Sequence, residues 1–284
     1  MGDTKVGPFE ISADAASEML KQHNPHGKHN SDVVRPWMNG LDITRHPREM
    51  WIIDFPPGTT IEEASLYESP FEYINRHVRP MRATARSGDR TGVPWWIHQR
   101  PRPDMRRALN DLPRYIATPT LTKHRLFVWL DKTTLPDHQL IAIARDDDYT
   151  FGVFHSRAHR LWALSKGTQL KDRPRYTPTT TFETFPFPGP LNSSDSALSV
   201  KRRASYDNIS HAAKNLDNVR RSWLNPKNAS EEALKSRTLT ILYNTYPTWL
   251  NQAHSRLDEA VLGAYGWSLD IRDNEILAIL WLLI

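Results

Sequence analysis

Apolar residues recur along this chain in two rhythms, and the change of rhythm divides it. Over 61–86, IEEASLYESPFEYINRHVRPMRATAR, the residues Ile61, Leu66, Phe71, Ile74 and Val78 keep helical spacing. Pro70 and Pro80 are expected to interrupt that helix or mark its ends. Short runs rich in β-branched and aromatic residues read as strands: MWIIDF (50–55), VPWWIHQ (93–99), YIATP (115–119), RLFVWL (125–130), QLIAIA (139–144) and TFGVFHS (150–156). Residues 32–44 read as extended chain around a turn at Asn39-Gly40. Ser12 or Asp14 is placed to cap a short first helix, and SRAHRLWALSKG (156–167) reads as a helix stopped by Gly167.

After GPLNSSDSALS (189–199), which has linker composition, the rhythm is helical to the end. The segments 205–224, 230–250, 251–267 and 273–284 each show i, i+3, i+4 apolar spacing. Ser230 with Glu231 and Glu232 opens one helix, and Asp270 or Asp273 is placed to cap the last. The expected fold is α+β: a mixed α/β domain over 1–190, a linker over 191–205, and a small all-α module over 206–284. The apolar pattern ILAILWLLI runs uncapped to residue 284, which suggests a truncated helix.

Composition narrows the class. A chain of 284 residues that is 39% hydrophobic, with 10 Trp, can bury a sizeable core. Without Cys there is neither a disulfide framework nor a thiolate zinc site, as suits a cytoplasmic protein. The longest apolar run falls far short of the roughly 20 residues of a membrane span, and the N-terminus lacks a signal-peptide pattern. No membrane partner is expected.

The net charge of +5 matters less than its location. Residues 76–125 hold Arg76, Arg79, Arg82, Arg86, Arg90, Arg100, Arg102, Arg106, Arg107, Arg114, Lys123 and Arg125 against Asp89, Asp104 and Asp111, a local net of +9. Arginine forks suit phosphate or guanine. Such a stretch is either the footprint of a polyanion or a solvated face paired with acids elsewhere.

QLKDRPRYTPTTT (169–181) carries Gln169, Lys171, Asp172, Arg173 and Arg175, the side-chain repertoire that reads base edges. From composition alone it is equally an ordinary polar loop. Thr177, Thr179, Thr180 and Thr181 either donate to phosphates or form the polar face of a strand. Phe182, Phe185 and Phe187 are expected in the core. Arg157 and Arg160 flank the start of the 156–167 helix, whose N-terminus is expected to accept a phosphate. His155 and His159 have i, i+4 metal spacing, but two His do not make a site, and His23, His26 and His29 read as solvated. Asp146, Asp147 and Asp148 read as a turn cap. No catalytic residue and no metal ligand is assigned; G-x-S-x-G and P-loop motifs do not occur.

The order of several segments carries a further implication. RYTPTTTFETFPFP (175–188), GVFHSRAHRLWALSKGTQLKDRP (152–174), residues 30–55, 114–130 and 135–159, and LDEAVLGAYGW (257–267) together resemble the target-recognition domain of MmeI-like DNA adenine-N6 methyltransferases, which join methylation to restriction. The glycine motif and NPPY/F-type motif of those enzymes do not occur in this sequence. The resemblance implies a sequence-specific double-stranded DNA recognition module, inactive alone. The partner catalytic domain would bind S-adenosylmethionine and methylate a flipped adenine. It also implies that Lys171, Asp172 and Arg173 set specificity, with Gln169 and Arg175 beside them. Backbone contacts are expected from Arg102, Arg106, Arg107, Arg114, Lys123, Arg125, Arg157, Arg160, Thr177 and Thr179. The alternatives are a protein-docking subunit using its C-terminal helices, an inactive gene remnant, or a nuclease whose site is unrecognised.

Overall fold

Strand-forming and helix-forming segments sort into two units rather than at the linker near residue 190. The computed structural model describes residues 1–84, 92–170, 173–189 and 200–284. The first unit comprises Met1–Asp42, Pro47–Tyr115 and Leu130–Ala144; the second comprises Ile43–His46, Ile116–Trp129 and Arg145–Ile284. Arg86 and Arg90 lie outside the described residues, as do Lys171, Asp172 and most of the expected linker.

Among the described residues the α-helices and strands up to Ile143 are β1 (Glu10–Ile11), α1 (Ala13–Lys21), β2 (Val34–Met38), α2 (Gly40–Thr44), β3 (Trp51–Ile53), α3 (Ile61–Ser65), α4 (Glu68–His77), α5 (Arg79–Ala83), α6 (Pro103–Leu109), β4 (Arg114–Pro119), β5 (Val128–Asp131), β6 (Leu135–Pro136) and β7 (Leu140–Ile143). One sheet of the first unit has the order β1-β3-β2-β6. Its β2–β3 pair is antiparallel, with Val34 opposite Ile53, and β2–β6 is parallel, with Trp37 opposite Leu135. Phe9, Ile52, Ile53, Phe55, Ile74 and Val78 fill the core behind it. Ser12 caps α1 by accepting from the Ala15 N–H at 3.2 Å.

The helical rhythm over 61–86 resolves into α3, α4 and α5. Pro70 and Pro80 both lie in first turns, where a missing N–H costs no internal bond. The segment 93–99 is not a strand. The Ile97 N–H donates to the Pro94 carbonyl at 3.1 Å, and Trp95 and Trp96 pack edge to face within this turn.

The second unit continues with α7 (Asp148–His155), α8 (Arg157–Lys166), β8 (Gln169–Leu170), β9 (Arg173–Pro174), a π-helical turn over Pro178–Phe182, α9 (Val200–Leu224), α10 (Glu231–Lys235), α11 (Leu239–Thr245), α12 (Thr248–Tyr265) and α13 (Asp273–Leu282). TFGVFHS is therefore helix, not strand. Every residue from Tyr149 to His155 is buried, so α7 has no polar face to reveal its period. Asp147 caps it, accepting from the Thr150 N–H at 2.8 Å, so the acidic run supplies a helix N-cap rather than a turn cap.

Packing against α7 also moves the expected boundary. A Cβ on Gly152 would lie 2.9 Å from Ile209 Cγ2 and 3.1 Å from Leu257 Cδ1, so α9 and α12 seat directly on α7. Residues 145–189 thus share a unit with the C-terminal helices, and α9 already begins at Val200 inside the expected linker. The pattern over 230–250 divides as well. Ser230 caps α10 and Thr238 caps α11, each accepting a backbone N–H at 3.2 Å.

Candidate nucleic-acid interface

β8 and β9 pair antiparallel, with Gln169 opposite Pro174 and Leu170 opposite Arg173. The chain then continues beside residues 120–121: the Tyr176 N–H donates to the Thr120 carbonyl at 2.8 Å, and Arg175 bridges Leu121. Arg173 and Arg175 are exposed. Tyr176 is buried; its hydroxyl donates to His159 Nε2 at 3.0 Å, while His159 Nδ1–H donates to the Phe154 carbonyl at 3.0 Å. Burial lowers the His159 pKa to about 3, so this ring is a neutral spacer under the hairpin.

Arg125 is a correction. Expected on the DNA backbone, it donates instead to Thr118 Oγ1 at 3.1 Å, to the Pro119 carbonyl at 2.5 Å and to the Pro174 carbonyl at 2.9 Å. Its guanidinium also lies 4.9 Å from the Tyr176 ring centre, and burial lowers its pKa to about 10. It ties β9 to the end of β4, which uses the geometry of its fork internally.

The phosphate expected at the N-terminus of α8 has a competitor from the chain itself. The Arg157 N–H donates to Asp258 Oδ1 at 2.6 Å, and Arg157 Nε donates to Asp273 Oδ1 at 2.6 Å. Burial, outweighing the Arg157 N–H and the Arg160 and Arg157 charges, pushes Asp258 up to about 6. Thr177 is half-buried with its carbonyl accepting from Thr181 Oγ1 at 2.6 Å; Thr179 and Thr180 are exposed on the π-helical turn, so this segment is not a strand. Phe185 is buried, with its ring centre 4.9 Å from that of His159.

Lys123, Arg125, Arg157, Arg160 and Arg175 converge on one cavity of about 430 Å³ within the second unit. Sequence reasoning missed its far wall: His124, Tyr243, Tyr246, His254 and Asp258. The Tyr243 hydroxyl donates to His254 Nε2 at 3.0 Å, and Tyr246 stacks on His254 with ring centres 5.8 Å apart at 26°. The i, i+4 spacing of His254 and Asp258 on α12 was the available signal. Lys123 Nζ also donates to Asn244 Oδ1 at 2.9 Å.

Deeper in the unit, Arg220 donates to His155 Nε2 at 2.6 Å and to the Phe127 carbonyl at 2.9 Å. His155 Nδ1–H donates to the Phe151 carbonyl at 2.9 Å. Both nitrogens of His155 and of His159 are therefore engaged by the protein, which explains the i, i+4 spacing without a metal. Burial and the Arg220 charge hold His155 well below the ordinary imidazole range.

The expected backbone cations of the first unit behave differently. Arg106 is a second correction: it donates to both Asp54 oxygens at 2.8 Å, to Asp3 Oδ2 and to the Pro101 carbonyl at 2.5 Å. Asp3, Asp54 and His98 have the grouping of a metal site, but the guanidinium already supplies the positive charge there. Arg107 is exposed and paired with Asp104; Arg102 and Arg114 are half-buried, Arg102 donating to the Gly2 carbonyl at 3.3 Å. No helix of the described residues is long and apolar enough to cross a membrane.

Comparison with solved structures gives a match to a structure of the Type IIL restriction-modification enzyme MmeI in complex with DNA. The TM-score is 0.72 at 18% identity, covering 99% of this chain and 34% of that one; the chain thus spans about a third of its structural relative. No curated protein sequence matches significantly. The family model for the MmeI target recognition domain matches residues 8–189. With that match extending over well more than half of its length, the chain belongs to the MmeI target-recognition-domain family.

Proposed function

We propose that this chain is a sequence-specific recognition module for double-stranded DNA. The observation that carries the reading is the gathering of Lys123, Arg157, Arg160 and Arg175 around one cavity beside the β8–β9 hairpin, in a member of this family. The exposed cations supply salt-sensitive affinity by releasing counterions. Gln169, Lys171, Asp172, Arg173 and Arg175 supply the choice of sequence through base edges. Arg106 and Arg125 hold the fold and not the DNA.

Methyl transfer to adenine N6 belongs, on this reading, to a catalytic domain outside this sequence, in a bacterial cytoplasmic restriction-modification or phage-defence system. S-adenosylmethionine does not suit the cavity here. The cofactor carries a sulfonium cation, whereas five cations and one carboxylate line these walls. A separate docking role is favoured by one observation: Trp281, Leu282, Leu283 and Ile284 are exposed at the end of α13. That face would suit the catalytic partner.

The test is a fluorescence titration of the purified chain against random duplex DNA over a salt series, with and without S-adenosylmethionine. Binding that weakens steeply with salt and ignores the cofactor is expected. A folded protein that ignores DNA at low salt would leave the docking role as the better reading.

A further inference from the structure

The cavity in the second unit is larger and more aromatic than phosphate-backbone contacts require. Its volume of about 430 Å³ falls among small-ligand sites, which run to roughly 300–1,000 Å³. A strand backbone lying over the surface needs cations, not an enclosed aromatic wall. The exposed cations on the rim are Lys123, Arg160 and Arg175, and the Arg160 charge also acts on Asp258 across the cavity. The single carboxylate, Asp258, is held by the Arg157 N–H.

The opposite wall is a stacking platform. Tyr246 is 40% exposed, yet His254 covers it in a parallel stack. Its backbone is left-handed, with φ 46° at the C-cap of α11, so the ring is set by a sharp turn rather than by a helix face. His254 is neutral because burial, reinforced by Arg220 and Arg160, lowers its pKa to about 3, and its Nε2 is committed to Tyr243. The rim therefore carries charge while the wall offers a neutral π surface, the division of labour with which proteins hold unstacked nucleotides.

We propose that this cavity receives a single nucleotide, its phosphate against Arg160, Lys123 and Arg175 and its base stacked on Tyr246. The ligand chemistry is a nucleoside monophosphate unit. It comes either from a free nucleotide or from a residue swung out of the duplex next to the hairpin; only the second source rests on the DNA reading above. Extrusion costs a few kcal/mol of stacking and pairing, least for a base that is already unpaired. A duplex with a bulged nucleotide therefore prepays that cost.

The experiment titrates the full chain with the four nucleoside 5′-monophosphates by calorimetry. It then titrates a bound duplex, selected from random sequence, in fully paired form and with single-nucleotide bulges. The Arg160→Gln and Tyr246→Leu variants run beside it; the latter keeps bulk but removes the aromatic face, and thermal melting confirms that both fold. Tenfold or stronger preference for one bulge position, abolished in both variants, supports the proposal with duplex DNA as the source. Monophosphate binding lost in both variants supports it with the free nucleotide as the source. Equal binding of bulged and paired duplex together with no monophosphate binding overturns it, and leaves the DNA module intact because the paired duplex still binds. If no duplex binds, the DNA reading fails, and the monophosphate titration alone decides the cavity.

Discussion

Arg106 grips Asp54 with two parallel hydrogen bonds, Nη1 to Oδ2 and Nη2 to Oδ1, each 2.8 Å, and the carboxylate is 1% exposed. Burial pushes the Asp54 pKa up, but Arg106, His98 and Arg35 outweigh it and hold the group below the usual carboxylate range. A depressed folded pKa stabilises above the unfolded value and is lost as pH falls through the folded value. Breaking such a pair from one side leaves a buried charge, at a cost of about 3–5 kcal/mol. Asp54→Ala is expected to lower the urea midpoint accordingly and to steepen loss of DNA binding with temperature. Arg106→Gln should destabilise likewise while leaving DNA affinity unchanged at temperatures where it remains folded. Affinity loss in a fully folded Arg106→Gln protein would restore this residue to the interface.

Arg173 and Arg160 should separate in their effects on DNA. Arg173 is on the exposed end of β9, in the segment assigned to base edges, whereas Arg160 is on the rim assigned to phosphate. A base-edge contact contributes about 1–3 kcal/mol of discrimination. Arg173→Ala is expected to relax the preference at one base pair in a base-resolved binding profile. Arg160→Ala should weaken all sequences alike and reduce the salt slope by about 1. An unchanged profile for Arg173→Ala would remove the hairpin from the readout.

Gly167 ends α8 with φ −80°, so its role is not left-handed backbone. An added Cβ would lie 2.7 Å from both the Ala163 and the Arg175 carbonyl oxygens. These are backbone atoms and cannot swing aside. Gly167→Ala must therefore push the backbone at Arg175 away, at a cost of about 1–3 kcal/mol for overpacking. The expected result is a lower denaturation midpoint and blurred sequence preference together. A variant as stable and selective as the parent would show that the hairpin tolerates displacement.

Much of the local grammar was legible because it depends on near neighbours. Ser12, Asp147 and Ser230 cap helices where polar residues precede apolar periods, and 115–119, 125–130 and 139–144 overlap the strands β4, β5 and β7. The resemblance of 175–188 and its neighbours brought the family into view before any contact was known. What the local pattern did not show was which distant groups Arg106 and Arg125 would meet. Counting Arg106 and Arg125 as free charge overlooked Asp3, Asp54 and three carbonyls or hydroxyls on other strands. The α7 helix looked like a strand because burial on all sides erased its polar face. Tyr243, Tyr246 and His254 of the cavity wall belong to α11, its C-cap and α12, whereas Arg157 and Arg160 are on α8, so no local pattern joins Tyr246 to Arg157.

Asp258 offers a pH signature for the α8 N-terminus. Its carboxyl receives the Arg157 N–H, faces the Arg157 and Arg160 charges on α8 and the like charge of Asp273 on α13, and lines the cavity with Tyr243, Tyr246 and His254. Its folded pKa of about 6 stands above the ordinary 3.8 because burial dominates. The sign follows: above pH 6 the group is ionised in both states and the burial penalty is complete. Between about 6 and 4 the folded state takes up the proton first, so this group's contribution to stability improves as pH falls. A shift of that size corresponds to at most about 3 kcal/mol, less what solvent screening removes at a partly exposed group. Asp258→Asn keeps an oxygen for the Arg157 N–H but has no charge to titrate. The difference in unfolding free energy between the two proteins should therefore favour the variant at pH 7.5 and shrink steadily toward pH 4.5. A difference that stays flat across that range would place the Asp258 carboxyl at its ordinary pKa and open the α8 N-terminus to solvent.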